Sequence, residues 1–199
     1  VESRRDVIAY PSVDEIDCSG WVLRKALYLF TRTNGALLEW LVSPIRYIES
    51  GPLRTLLADL SPRTSNQIAL CYHYSHMARR NASEYIFRDK VKLKKYFYIL
   101  RPLLAIRYIE AFAKPPPIEF QLLVDAVAPE SIKPGIAKLL EIKRRTVEKG
   151  LGDPIQEINE FIESETERHG EAFSGQGRPD LVAGESARDE LNNIFRKVL

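Results

Sequence analysis

The stretch Arg88 to Ile109, RDKVKLKKYFYILRPLLAIRYI, constrains the fold more than any other part of the chain. It carries seven Lys/Arg against one Asp, a long apolar series and a proline in the middle. At helical spacing, Lys94, Tyr98, Arg101, Ala105 and Tyr108 share one stripe, and Leu93, Phe97, Leu100 and Leu104 share another. One side can be buried, while the other offers cations and phenols to an anion such as phosphate. A solvated basic face on an ordinary core helix explains the same pattern. Pro102 removes an amide donor, so the carbonyl of Tyr98 loses its helical partner and a bend is expected there.

Around this segment the chain reads as two short strands followed by helices, an α+β arrangement that is predominantly α. Asp6 to Tyr10 and Val13 to Cys18 are the strand candidates, and Ser19-Gly20 punctuates the chain after them. Helices are expected over Trp21 to Thr33, from Leu37 to about Ser43-Pro44, and from Pro52 to about Leu60. From Pro62 onward the pattern is almost wholly helical: Thr64 to Phe87, Val91 to Ala113, Ile118 to Val127, Pro129 to Lys149, Pro154 to Arg168 and Ala187 to Val198. Pro115-Pro116-Pro117 is a firm stop, and His169 to Gly184 reads as a Gly-rich flexible loop.

Charge is distributed unevenly along the 199 residues despite a net of +2. Residues 20 to 114 carry 16 Lys/Arg against 6 Asp/Glu, while residues 150 to 199 carry 5 against 11. The basic part favours a polyanionic ligand, and the acidic part argues against an all-over nucleic-acid coat. No apolar run approaches the roughly 18 residues of a membrane span, so no membrane partner is expected. Cys18 and Cys71 lack metal-type spacing and read as structural thiols of a reduced, cytoplasmic protein. The opening residues, VESRRDVIAYP, read as the interior of a domain, so a further N-terminal portion is expected upstream.

Familiar catalytic signatures are absent: there is no Walker loop, GxGxxG, GxSxG or HExxH. His73 and His76 lie three apart in CYHYSH and share a helix face, but a metal would need a third ligand, and packing is the better reading. Asp14, Glu15 and Asp17 lie on the second expected strand, where Glu15 and Asp17 would share a side. One carboxylate at a strand end is a weak Mg²⁺ signal, since that ion takes several oxygen ligands. Arg24 and Lys25 on the first helix are a solvated face or a nucleotide contact. Glu39-Trp40 followed by Ser43-Pro44 suggests a packing corner, with Glu39 answering an Arg.

Five co-ordered segments carry a resemblance: GWVLRKALYLF (20–30), LLEWLVSPIRY (37–47), HYSHMARRN (73–81), KLKKYFYILRPLLAIRYIEAF (92–112) and PPPIEF (115–120). Together they resemble the YcgL-like predicted nucleotidyltransferases of the DNA polymerase β superfamily, also described as an RNA-repair-pathway polymerase-β family. The likeness covers roughly residues 3 to 150, with ELNNIFRKVL as a tail match. It implies a polymerase-β-type α/β core, of which residues 1–50 would be the C-terminal part. A helical domain would follow over 51–150, then an acidic helical tail over 151–199 with a flexible loop at about 169–184.

The resemblance also implies transfer of a nucleotidyl group from an NTP to an acceptor, with Mg²⁺ held by a GS motif, a DxD pair and a third acidic residue. GS and DxD would lie upstream of Val1, so this chain by itself is expected to be inactive. Asp17 is the candidate third metal carboxylate. Lys94, Lys95 and Arg101 are candidate triphosphate contacts, and Tyr98 can stack on a base or hydrogen-bond a sugar. Arg107 would join them or pair with Glu110, and Lys25 is a further nucleotide-binding candidate. The family pattern GWD is Gly20-Trp21-Val22 here, which removes either a catalytic aspartate or only a helix cap. A nucleic-acid end in RNA repair is the expected acceptor; a non-catalytic helical module binding RNA or another partner is the alternative.

Overall fold

A computed structural model describes residues 6–10, 17–86, 89–145, 151–172 and 184–198. The chain is α+β and predominantly α, and it divides into two compact units, Val1–Asn66 with Asp180–Leu199, and Gln67–Pro179. That division departs from the expected boundaries at 50 and 150: the C-terminal helix belongs with the first third of the chain.

In the first unit, β1 (Val7–Ala9) pairs antiparallel with β2 (Ser19–Trp21), with Val7 opposite Trp21 and Ala9 opposite Ser19. Gly20-Trp21 therefore lies inside a strand rather than at the start of the first helix. Of the expected strand Val13 to Cys18, residues 13–16, with Asp14 and Glu15, lie outside the described residues. Helix α1 spans Leu23–Thr31, with Val22 at its N-cap. Its backbone is extended there and its side chain makes no cap hydrogen bond. An aspartate at this position would stand where a carboxylate accepts from the first-turn amides.

Thr33 adopts φ 50°, a left-handed conformation costly for a β-branched residue, and its buried hydroxyl accepts from the Asn66 amide at 3.0 Å. Asn34 closes α1, its amide donating to the Leu29 carbonyl at 3.0 Å, and also caps the next helix, α2 (Gly35–Leu41), where its Oδ1 accepts from the Leu37 amide. Helix α3 (Leu53–Thr64) runs through Pro62. Helix α9 (Glu185–Val198) buries Ala187, Leu191 and Ile194 and packs on α1 and α3, with Glu190 paired to Arg63 at 3.2 Å. Trp40 stacks on Trp21 at 4.4 Å, and Glu49 receives Arg54 and Arg46 while Arg54 also donates to the Leu41 carbonyl.

In the second unit, α4 (Gln67–Tyr85) and α5 (Leu93–Phe112) form an antiparallel pair: Gln67 Nε2 donates to the Ala113 carbonyl at one end, and Lys95 lies over Tyr85 at the other. Around α5 pack α6 (Phe120–Val127), a 3₁₀ turn (Glu130–Ile132), α7 (Lys133–Arg145) and α8 (Gln156–Ala172). Two short strands, β3 (Val91–Lys92) and β4 (Leu151–Gly152), close the base of α5. Because α8 continues to Ala172, His169 is helical rather than part of a loop; residues 173–183 of that expected loop lie outside the described residues.

The two-stripe reading of α5 fails beyond Arg101. Leu103, Leu104, Ala105 and Ile106 are four consecutive residues with no exposed surface. At 100° per residue they point in four directions, so the helix is enclosed on every side there. Ala105, assigned to the polar stripe by spacing, is core. Pro102 is buried inside the continuous helix, where its missing N–H deprives only the Tyr98 carbonyl.

Tyr96 is the buried polar member of this core. Its hydroxyl accepts from the Ile155 amide at 3.0 Å and donates to Asn159 Oδ1 at 2.7 Å, joining α5 to the start of α8. Burial raises its pKa, outweighing the two hydrogen bonds. Tyr96→Phe leaves the Ile155 amide without its acceptor and should cost about 1–3 kcal/mol in urea unfolding. A loss below about 0.5 kcal/mol would show that the pair of bonds contributes nothing to the α5–α8 contact.

Candidate nucleotide-binding surface

The cations of the basic segment divide into two sets by what they touch. Arg101 is half-buried, and its Nε donates to the Ile118 carbonyl at 3.3 Å. Arg107 Nε donates to the Val127 carbonyl at 3.2 Å, while its Nη1 meets Glu165 Oε1 at 3.0 Å. These two arginines clamp α5 to the ends of α6 and to α8. Arg107 does not pair with Glu110; that carboxylate takes Arg168 through two 3.0 Å bonds.

Arg107, Glu110, Glu165 and Arg168 line a cleft of about 780 Å³. Its two guanidinium groups face two carboxylates, so the cleft offers no surplus positive charge. Glu165, with a nearly buried side chain, sits at the centre, 2.9 Å from Arg168 and 3.5 Å from His169. Burial alone would raise its pKa; the hydrogen bonds of His169 and Arg168 and the charges of Arg168 and Arg107 overcome this and hold it at about 2. The bonds to Glu110, foremost, keep Arg168 more firmly protonated than an ordinary arginine. This is a structural clamp.

Since the Glu165 pKa is lowered on folding, its contribution is present above an unfolded value near 4.3 and is lost as pH falls toward 2. In urea titrations between pH 7 and pH 2, the wild type should lose roughly 3 kcal/mol more than Glu165→Gln. Parallel curves for the two proteins would remove the clamp from the account.

The second set stays at the surface. Lys94 and Tyr98 are exposed, and Lys95 is half-buried by aromatic rings. Lys95 Nζ lies 3.9 Å from the centroid of Tyr85 and 5.0 Å from that of Tyr98. No described carboxylate pairs with it. A cation–π contact at such a site contributes about 0.5–1 kcal/mol, less than the roughly 1.5–3 kcal/mol of a charge-assisted hydrogen bond. The ammonium can therefore turn to a phosphate oxygen and leave two ring faces for a base. Tyr85 was not singled out by sequence; only the antiparallel return of α5 on α4 brings it beside Lys95.

The remaining candidates lie in the first unit. Lys25 is half-buried on α1. Asp17 is exposed and precedes β2 instead of ending a strand that leads into Gly20-Trp21. Among the described residues no three of His, Cys, Asp and Glu gather as metal ligands, and His76 packs on Tyr72 at 4.3 Å. Cys18 is exposed, whereas burial, with the charge of Glu110 adding to it, pushes the half-buried Cys71 thiol up to about 11. Among the described residues no helix is long and apolar enough to cross a membrane.

A sequence model of the RNA repair pathway DNA polymerase beta family matches residues 1–197. Uncharacterized protein YcgL of Bacillus subtilis (strain 168) is 45% identical over 173 residues, which is 86% of this chain and 66% of that protein. The chain thus spans about two thirds of the length of its curated relative. No solved structure matches.

Proposed function

We infer a nucleotidyl-transfer role from one premise: the chain belongs to the RNA repair pathway DNA polymerase beta family. We propose that the protein moves a nucleotidyl group from a nucleoside triphosphate to a nucleic-acid end, with RNA as the acceptor that the family's name suggests. In such a transfer the acceptor oxygen bonds to the α-phosphorus and pyrophosphate departs, so cations near the phosphates stabilise the charge that develops.

The observation that carries the reading in this chain is Lys95, held between Tyr85 and Tyr98 with no described carboxylate partner. Lys95 and Lys94 would take phosphate oxygens and Tyr98 would stack on the base. Lys25 is proposed as a further nucleotide contact. Arg101 and Arg107 serve the fold in this reading, because Arg101 Nε donates to the Ile118 carbonyl and Arg107 to the Val127 carbonyl and Glu165.

The metal is a separate matter. Mg²⁺ takes several oxygen ligands, and the described residues offer no gathering of them. Asp17 is proposed as one ligand of such an ion, but a lone exposed carboxylate does not fit a Mg²⁺ site, and no step is drawn through the ion. The Lys95, Tyr85 and Tyr98 cluster, which can meet a polynucleotide without NTP or metal, supports a second reading as well, a helical module that binds RNA without catalysis.

The test is incorporation of label from each of the four NTPs, with Mg²⁺, into RNA ends by the whole protein. Transfer is expected, and Lys95→Ala should lower it at least tenfold, about 1.4 kcal/mol of lost transition-state stabilisation. Absence of transfer to any RNA end with any NTP would refute the enzymatic reading; RNA binding without transfer would establish the second.

A further inference from the structure

Beside the Lys95 cluster, α4 presents a long groove of about 600 Å³ that the phosphate contacts above do not use. His73, His76, Met77, Arg80, Glu84 and Tyr85 line it. Their spacing places His73, His76, Met77, Arg80 and Glu84 on one face of the helix, opposite the buried Ala78 and Ala82, and Tyr85 borders the groove from the flank at the helix end. From His73 to Tyr85 this face runs about 18 Å, longer than one nucleotide.

Three observations on this face point to the same class of ligand. Arg80 is exposed and forms no ion pair with a described residue, not even with Glu84 one turn on. Flat or polarizable surfaces alternate with the positive charge: Tyr72 and His76 rings in contact at 4.3 Å, the partly exposed thioether of Met77, then Tyr85. At the C-terminal end, Lys95 lies over Tyr85 and extends the positive line onto α5. Glu84 is the one carboxylate in the lining and Arg80 the one Lys/Arg, with Lys95 adjoining the groove at Tyr85.

A groove with an exposed cation flanked by ring and thioether surfaces suits a strand of nucleotides. The backbone follows the charges while successive bases stack, whatever their identity. A duplex hides its base faces and could use the charges alone. An acidic peptide would use the charges and leave the rings without a stacking partner.

We propose that the α4 groove binds a single-stranded polynucleotide, its backbone phosphate on Arg80 and its bases on the Tyr72–His76 pair, Met77 and Tyr85, with Lys95 left to the nucleoside triphosphate. The proposal rests on the transferase reading only in naming this strand as the acceptor. The strand would run along α4 and present its end beside Lys95 and Tyr98. Binding itself needs neither NTP nor metal.

The experiment is fluorescence anisotropy with a labelled 12-nucleotide RNA of unstructured sequence, without NTP or Mg²⁺, over a series of salt concentrations. Wild-type protein should bind the strand. Arg80→Ala should weaken binding at least fivefold and reduce the salt slope by about 0.7, the value for one phosphate contact on a single strand. Arg80→Lys should recover part of the affinity. Lys138→Ala on α7 removes an equal charge from another helix of the same unit, and it should change affinity less than twofold. Thermal unfolding confirms that each variant is folded.

No binding by the wild type, equal losses in Arg80→Ala and Lys138→Ala, or equal competition by a duplex or by a polyglutamate peptide would each overturn the site. Strand binding without nucleotidyl transfer would leave the groove standing and sink the transferase reading. Transfer that is indifferent to Arg80→Ala would do the reverse.

Discussion

The second unit depends on the enclosure of α5. Four successive residues, Leu103 to Ile106, are wholly removed from water, which requires neighbours on all sides of the helix. Helices α4, α6, α7 and α8 supply them. Burying one such aliphatic side chain stabilises by about 1.5–3 kcal/mol, so this central turn outweighs any single ion pair in the unit. Everything polar on α5 is arranged around that constraint. Tyr96 satisfies its hydroxyl at the start of α8, Arg101 and Arg107 reach carbonyls flanking α6, and the two ends of the helix stay open to solvent.

That gradient along one helix separates structural cations from available ones. Arg107 and Arg168 close on Glu165 and Glu110, where loss of one partner would leave buried charge behind. Lys95 has only ring faces to hold it. Equal charges in the sequence thus have unequal meanings, and burial of the partner decides which is which. The outcome is one helix end suited to ligand, continuous with the α4 groove, and another suited to holding the bundle together.

Much of this was legible in the chain itself. Periodicity and proline positions locate the helices, and the ordered segments locate the family. The spacing of Lys94, Lys95 and Tyr98 picks out the exposed turn of α5. What was not legible depends on contacts distant in sequence. A 3.6-residue stripe assumes one buried face, so it misplaced Ala105 and set Arg101 on the polar side; Arg107, expected on phosphate or Glu110, pairs with Glu165. The strand pair Val91–Lys92 with Leu151–Gly152 is two residues long and separated by about sixty, too short to carry a β pattern. Tyr85 and Arg80 gain their significance from tertiary pairing of α4 with α5. His169, read as a loop neighbour, is buried against Glu165 because the helix continues past it.

The central claim is that ligand meets the second unit where α4 ends and α5 begins, and not along the rest of α5. Amide hydrogen exchange of the whole protein, with and without a saturating single-stranded RNA, tests it most directly. The account predicts added protection in α4 from about His76 to Tyr85 and in α5 from Leu93 to Tyr98, with Leu103 to Phe112 unchanged. Protection confined to the Arg107–Glu165 cleft, or none in either helix, would contradict it.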